Sequence, residues 1–130
     1  MYFWEYAPHR AREWAEQRVR RDFAVLEARI RLGRCLNLLD IEHMAGLRRA
    51  FQRAFLRLGE RGIAMPMNLD DGRYYRDQMV VELYCQLQQE EGQVPFQSVR
   101  GCYPEGEPMF PNSRILSRAH VQVAVRDAGS

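Results

Sequence analysis

The pattern of apolar and polar residues at the start of the chain predicts a strand that runs directly into a helix. Three aromatic residues in succession at positions 2–4 are typical of a buried strand. Pro8 follows, and proline suits the first turn of a helix, where its missing N–H costs no hydrogen bond. Apolar residues then recur at helical spacing, at Ala11, Trp14, Ala15 and Val19. We therefore expect a strand over residues 1–6 and a helix that packs back on it through Trp14.

A strict alternation over residues 26–32 predicts a half-buried strand. Its apolar positions are Leu26, Ala28, Ile30 and Leu32, and charged residues stand between them. Gly33 ends the pattern. Residues 35–39, Cys-Leu-Asn-Leu-Leu, indicate a second short extended piece.

Helical periodicity returns over about 41–60 and about 73–90. Asp40 is expected to cap the first of these helices, and Asp70 or Asp71 the second. The apolar face of the first helix comprises Met44, Leu47, Phe51, Ala54, Phe55 and Leu58. That of the second comprises Met79, Val80, Leu83, Tyr84 and Leu87.

The C-terminal part predicts a loop followed by a last strand. Residues 96–101 indicate a short strand or turn, and the prolines of residues 102–113 predict an irregular loop of the kind that borders binding sites. Residues 119–126 alternate, with Ala119, Val121, Val123 and Val125 on one face. His120 and Gln122 then lie side by side on the other face, away from the core that the valines fill.

The predicted order β-α-β-β-α-α-β groups the helices together. It favours an α+β fold, with a mixed or antiparallel (split) sheet and about three helices, over a doubly wound parallel sheet. Neither a Gly-x-Gly-x-x-Gly motif nor a P-loop is present. At 130 residues the chain is expected to form a single domain over 1–130.

Composition excludes several classes of protein. With 46% apolar and 28% charged residues, the sequence contains no apolar run long enough to span a membrane. The aromatic N-terminus is short and has no basic lead, so we do not expect it to act as a signal peptide. Cys35, Cys85 and Cys102 are odd in number and form no Cys-x-x-Cys motif, which argues against a disulfide framework and a zinc site. We therefore expect a protein of the reducing cytoplasm with no membrane partner. All 19 basic residues are arginine, so no lysine nucleophile exists.

An arginine stripe lies opposite the apolar face of the helix predicted over about 41–60. It consists of Arg49, Arg53, Arg57 and Arg61, each four residues from the next. Two interpretations remain open: a solvated helix face, or a surface that contacts the phosphates of a nucleic acid or a dinucleotide.

Four segments of the chain carry a resemblance to a known family. Tyr2-Phe3, followed by Ala-x-x-Trp-Ala at residues 11–15, resembles the Gly-Ile-Tyr-Phe…Ala-x-x-Tyr-Ala segment of ADP-ribosyltransferases of the diphtheria toxin and poly(ADP-ribose) polymerase type. The Tyr-Phe-Trp-Glu motif is more similar to an uncharacterised bacterial group. Residues 25–40, the Val-Arg-Gly-x-x-x-Glu-Gly-x-Pro motif of 99–108, and residues 119–127 extend the resemblance along the chain.

The resemblance implies an ADP-ribosyltransferase-like fold that uses NAD as its substrate. The acceptor would be a protein or a nucleic acid, as for a bacterial toxin or a phage-defence effector. In the resembling proteins a strand with His-Gly precedes the Tyr-Phe motif, and this chain begins after that strand. The resemblance thus implies an N-terminally incomplete domain with an open sheet edge at residues 1–6, which a second copy or an antitoxin partner would cover.

The same resemblance assigns roles to individual residues. Tyr2 falls on the tyrosine that stacks on nicotinamide, and Gln122 falls where the catalytic glutamate opens the last strand. Glutamine can hydrogen-bond a ribose hydroxyl but cannot carry the negative charge. We expect Tyr2 and Gln122 to line opposite walls of one groove. For Tyr2, core packing remains an alternative.

Further candidates stand near these two residues in the sequence. His120 is a candidate general acid/base or ribose contact, with a purely structural role as the alternative. Glu5 is the most conveniently placed carboxylate, and Glu105 is the next. Arg100 is a candidate for holding a phosphate of NAD.

Two other functional hypotheses stay open. A catalytically degenerate domain of the same fold would bind a partner through the Arg49, Arg53 and Arg57 face or through the open edge strand. A relative of the RNA 2′-phosphotransferases would share the fold, but the phosphate-binding arginines and histidines that it needs cannot be located in this sequence.

Overall fold

The computed structural model describes residues 1–19 and 21–126. Over them the elements are β1 (Tyr2–Glu5), α1 (Pro8–Arg18), β2 (Cys35–Asn37), α2 (Met44–Glu60), α3 (Tyr75–Glu90), β3 (Ser98–Tyr103) and β4 (His120–Val125). The fold class is α+β, with three helices and a four-stranded mixed sheet among these residues. None of the helices in the described part of the chain has the length and apolar character needed to cross a bilayer.

The sheet and α1 form one compact unit, built from Met1–Leu39 and the described part of Phe96–Ser130. The strand order is β1-β4-β3-β2; β4 is antiparallel to both neighbours, and β2 is parallel to β3. Helix α1 packs against β1, and the rings of Trp4 and Trp14 lie 5.4 Å apart. The position of the strand, the helix start at Pro8 and the packing through Trp14 are thus confirmed. The predicted burial of the strand is wrong, because β1 lies at the edge of the sheet: Tyr2 is exposed and the other three residues are partly buried.

The strand register separates the side chains of the sheet onto two faces. Tyr2 pairs with Ala124 and Trp4 with Gln122, so these side chains lie on one face, which we call the tryptophan face. His120 lies two residues from Gln122 and shares that face. The opposite face, called the valine face, carries Phe3, Glu5, Arg100, Val121 and Val123. The predicted separation of His120 and Gln122 from the valines is therefore confirmed.

The second compact unit, Asp40–Pro95, is a pair of packed helices. The helix surface of α2 that is buried consists of small residues, Gly46, Ala50 and Ala54. Only Ala54 of these belongs to the predicted apolar face, and two other members of that face, Met44 and Phe55, are exposed. Because these side chains are small, a neighbouring ring can approach the helix backbone closely, and this close packing buries them.

The strand predicted over residues 26–32 is wrong, because this segment has no regular structure. Leu26 is 87% exposed, and the segment joins the sheet only at its end, where the Ser98 hydroxyl donates to the carbonyl of Leu32. Alternation makes a strand amphipathic, but a strand also needs a neighbour whose backbone groups pair with its own. The extended piece at Cys35–Asn37 has such a neighbour in β3 and forms β2.

Both helix caps differ from the predicted ones. Helix α2 begins at Met44, and the carboxylate of Asp40 accepts from the N–H of the adjacent Ile41 instead of capping it. At α3 neither predicted aspartate caps the helix. The Asn68 side chain accepts from the Asp77 N–H at 3.1 Å and donates to the Asp77 carboxylate at 2.8 Å. A residue outside the helix thereby satisfies a backbone donor of its first turn.

Candidate functional site

An aromatic cluster is built on the tryptophan face where β1, β4 and β3 lie side by side. The rings of Trp4 and His120 are 6.4 Å apart, and those of His120 and Tyr103 are 5.5 Å apart and nearly parallel. This contact follows from the register, which pairs Tyr103 with His120 across β3 and β4. The ring of Trp14 of α1 also packs against Trp4, with the ring centroids 5.4 Å apart.

A hydrogen-bonded chain along β4 fixes the orientation of the His120 ring. The Nδ1 atom lies 2.8 Å from the carbonyl oxygen of Arg118, which can only accept, so Nδ1 carries the proton. The Nε2 atom then accepts from the amide Nε2–H of Gln122 at 3.1 Å. Both ring nitrogens are therefore engaged, and the buried ring holds the Gln122 amide in one orientation.

The Gln122 oxygen, Oε1, is the acceptor that this arrangement leaves available. The nitrogen of the same amide is bonded to His120, and Oε1 takes part in no hydrogen bond recorded over residues 1–19 and 21–126. Because the amide cannot turn without losing its bond to His120, Oε1 has a fixed direction. A ligand hydroxyl or N–H group is the partner that this atom can accept.

Tyr2 lies on the same face as this amide. It pairs with Ala124, next but one to Gln122 along β4, so the two side chains are diagonal neighbours across β1 and β4, about 7–8 Å apart. The Tyr2 side chain is 61% exposed. The sheet therefore brings together three of the candidates from the sequence: Tyr2, His120 and Gln122. The expected placement on opposite walls of a groove is wrong, because Tyr2 and Gln122 are neighbours on one sheet face.

The indole nitrogen of Trp4 is a feature of this face that the sequence did not single out. Its Nε1–H is buried, and it is the sole buried side-chain N or O atom in the described part of the chain without a hydrogen-bond partner. Such a donor costs about 1–3 kcal/mol. Trp4 alternates in phase with Tyr2, and this shared parity was the signal in the sequence that could have found it.

Glu5 and Arg100 are not part of this cluster, because they pair with each other on the valine face. The Arg100 guanidinium donates through Nε to Oε1 of Glu5 at 2.9 Å and through a terminal nitrogen to Oε2 at 2.6 Å. A further bond, of 3.3 Å, reaches Oδ1 of Asn37. The Arg100 bonds hold the pKa of Glu5 below its ordinary value of 4.5. This guanidinium is thus bonded to a carboxylate of the same sheet.

Replacing Glu5 by glutamine is expected to lower the free energy of unfolding by about 1 kcal/mol at pH 7, because the pair is about a quarter exposed and screened. The pKa of Glu5 is lowered in the folded state, so its contribution is complete above pH 4.5 and is lost as the pH falls through the lowered pKa. Urea unfolding between pH 7 and pH 3 should show the two proteins converging. A constant difference across that range would contradict the assignment.

Glu105 anchors a loop to α1. Its carboxylate accepts from Arg10 at 3.1 Å, and Arg10 also donates through Nε to the carbonyl of Arg118 at 3.3 Å. Arg118 in turn pairs with Glu13 at 2.8 Å. Because that Arg118 carbonyl is also the acceptor of His120, this network fixes the start of the hydrogen-bonded chain along β4.

A cavity of about 400 Å³ runs along the surface of α2 and α3. Its apolar lining includes Ala54, Leu58, Leu83 and Leu87. Arg53 and Arg57 line one part of it, and both are exposed. Neither forms an ion pair within residues 1–19 and 21–126, although the carboxylates of Glu82 and Glu90 also line this cavity.

The described residues thus define an α+β protein whose mixed sheet carries an aromatic and amide cluster on one face. Within them no three side chains of the His, Cys, Asp and Glu types converge as metal ligands, and the three cysteines are free thiols. Comparison with protein-family models, with curated proteins and with solved structures returns no match for this chain.

Proposed function

We propose that this protein is ADP-ribosyltransferase-like and takes NAD as its substrate on the tryptophan face. The observation that carries the proposal is the bond between His120 and Gln122, which fixes an amide oxygen beside the exposed ring of Tyr2. The motifs that resemble the transferase family supply the choice of NAD.

In this proposal each residue of the face has one task. Tyr2 stacks on the nicotinamide ring, and Oε1 of Gln122 accepts a hydrogen bond from a ribose hydroxyl. His120 is a positioning residue, since it acts by holding Gln122. The bond between ribose and nicotinamide breaks with its electron pair leaving on nicotinamide, and positive charge develops on the ribose. The lone pair of an acceptor nucleophile then forms the new bond, and its proton passes to water.

The resemblance implies a carboxylate that stabilises the ribose in the transition state, and the tryptophan face does not supply one. Among the described strand residues of the tryptophan face none is acidic; Glu5 faces the other way, and Glu105 is bonded to Arg10. The partial charge on the Gln122 oxygen would be the nearest stabilising group for the developing charge. A dipole stabilises less than a full charge, so we expect slow turnover.

Incubation with NAD should raise the melting temperature and release nicotinamide, which chromatography detects. Tyr2→Ala and Gln122→Ala should each reduce release about tenfold, because a stacked ring and a hydrogen bond in the transition state are each worth about that much. Tyr2→Phe should retain most of the activity. Tyr6→Ala is the matched control, because this nearby tyrosine is 99% exposed. If the unaltered chain shows no melting shift with NAD and releases no nicotinamide, the proposal is rejected.

The acceptor in this proposal is a protein or a nucleic acid of the cytoplasm, as for a toxin or a phage-defence effector. Cys35, Cys85 and Cys102 are free thiols, which is consistent with a reducing compartment. The transfer itself would leave ADP-ribose on the acceptor, and mass spectrometry of treated extracts would identify it.

A second candidate function is binding of nucleic acid through the arginine stripe without catalysis. The observation that favours it is the exposed pair Arg53 and Arg57, which border the cavity on α2 and α3 and form no ion pair in the described part of the chain. Phosphates are the anions that guanidinium groups bind well, and apolar lining beside them suits a base.

Arg53→Glu should weaken binding of a 20-nucleotide single-stranded RNA about tenfold in fluorescence anisotropy, and the wild-type affinity should fall as salt is raised. Arg48→Glu makes the same charge change on the same exposed helix, outside the cavity and the stripe, and should bind nearly as well as the wild type. Equal losses in the two variants, or no binding by the wild type, would reject this second candidate.

A further inference from the structure

Strand β1 is a terminal strand of the sheet. It pairs with β4 on one side, and no strand among the described residues pairs with its other side. The opposite terminal strand, β2, is only three residues long. The open edge of β1 is therefore the longer of the two sheet edges at which a further strand can be added.

The hydrogen bonds of β1 show which backbone groups face this edge. The Val125 N–H donates to the carbonyl of Met1 at 2.9 Å, so residues 1 and 125 are a hydrogen-bonded pair. In an antiparallel ladder alternate residues turn both backbone groups to the same neighbour. Phe3 therefore faces β4, and Tyr2 and Trp4 direct N–H and C=O toward the open edge.

The sequence of β1 lacks the strongest of the devices that protect an exposed edge. Natural sheets guard exposed edges with lysine, proline or a bulge, and residues 2–5 contain none of these. Large apolar side chains flank the edge instead: Met1 is 81% exposed and Tyr6 is 99% exposed. The one charge of the strand, on Glu5, is already paired with Arg100.

We propose that two copies of this chain associate by antiparallel pairing of β1 with β1 about a two-fold axis, which joins their sheets into one. The outward residues are two positions apart, so the edge is complementary to itself. Tyr2 lies opposite Trp4 of the partner subunit, and each such pair exchanges both backbone hydrogen bonds. Phe3 lies opposite Phe3 of the partner subunit in the non-hydrogen-bonded position at the centre.

This register is favoured over its alternatives by the number of bonds it forms. Pairing Tyr2 with Tyr2 of the partner subunit leaves Trp4 beyond the strand end. Pairing Trp4 with itself requires Tyr6 to extend the strand, and Tyr6 has a φ of 50°, outside the extended region. A short paired edge buries a small area, so the dimer is expected to be weak and concentration-dependent.

Sedimentation equilibrium of the full chain should show a mass that rises from 15.3 kDa toward twice that value with concentration. Tyr2→Pro removes an outward N–H that makes no hydrogen bond with the described residues. Because of the two-fold axis, the dimer loses this bond at two places. We expect the dissociation constant to rise about tenfold or more. Tyr2→Ala is the matched control, because it keeps the N–H and loses only the side-chain contact with Trp4 of the partner subunit. It should therefore raise the dissociation constant less than Tyr2→Pro does.

Disulfide formation between introduced cysteines shows which residues of the two β1 strands lie opposite each other. In a Cys102→Ser background, Phe3→Cys should form an interchain disulfide under air, since residues opposite each other in a non-hydrogen-bonded pair lie within bridging distance. Tyr2→Cys should not, because the two cysteines would be displaced along the strands. A monomer at every concentration, a dimer that Tyr2→Pro leaves unchanged, an open-ended assembly, or no disulfide at residue 3 would each overturn the proposal. None of these outcomes depends on NAD.

Discussion

Replacing Leu36 by alanine is expected to lower the free energy of unfolding by about 2–5 kcal/mol. Leu36 is fully buried in β2, where it pairs with Val99 of β3. The cost combines the lost transfer of apolar surface with the cavity that remains in the packed interior. Urea unfolding followed by circular dichroism measures the change, and an unaltered m value would show that the fold is retained.

Leu26→Ala is the matched control for this change. The sequence pattern predicts Leu26 as an inward residue of a strand, but the structure leaves it 87% exposed. Its replacement should therefore change the free energy of unfolding by no more than about 0.5 kcal/mol. Comparable losses at Leu26 and Leu36 would contradict the description of residues 26–32 as irregular and exposed.

Replacing Gly46 by alanine is expected to destabilise the α2–α3 pair by about 1–2 kcal/mol. A Cβ at this position would overlap with Cε1 of Tyr84, so the ring would have to move. Moving the ring disturbs the 2.7 Å hydrogen bond between Tyr84 and His43. Overpacking of this kind costs about 1–3 kcal/mol, and the better helix propensity of alanine returns about 1 kcal/mol at most.

Gly59→Ala separates the two effects, because it makes the same change near the end of the same helix. A Cβ at Gly59 would meet no atom within 4 Å, so only the propensity gain remains. We expect this variant to be more stable than the wild type by up to about 1 kcal/mol. Thermal unfolding of both variants measures the two changes in stability. Stabilisation by Gly46→Ala would show that Tyr84 does not pack against Gly46.

The parts of the fold that local pattern determines could be predicted from the sequence. Tyr2–Glu5 combines aromatic residues with a following Pro8, and the structure has a strand and a helix at these positions. The alternation of β4 likewise placed His120 and Gln122 on one face. In each case the information lies within a few consecutive residues, and the structure adds only the neighbouring strand.

The failures concern features that depend on distant residues. The alternation of apolar and polar residues is as regular in residues 26–32 as in β4. A strand forms only where a neighbouring strand supplies hydrogen bonds, however, and the alternating pattern contains no information about such a neighbour. The α3 cap fails for the same reason, since Asn68 reaches it from outside the helix. The buried surface of α2 was missed because Gly46 and Ala50 carry little hydrophobic signal, although they allow close approach.

The candidate site divides in the same way. The alternation of side chains along a strand is enough to predict which face Tyr2 and Gln122 occupy, and in the structure they lie on one face. Glu5 differs from Tyr2 by an odd number of residues, so the same rule already places it on the opposite face. Its bond to Arg100 reaches across β4, and that contact requires the order β1-β4-β3, which no local pattern contains.

Binding of NAD against the tryptophan face, as we propose, can be followed through the indole N–H resonances. The chain has two tryptophans, so Trp14→Phe assigns the Trp4 signal in a proton–nitrogen correlation spectrum. We predict that NAD shifts the Trp4 signal in a saturable way, and that Tyr2→Ala abolishes the shift while Tyr6→Ala preserves it. A Trp4 signal that stays fixed at millimolar NAD, or that moves equally in both variants, would contradict the claim.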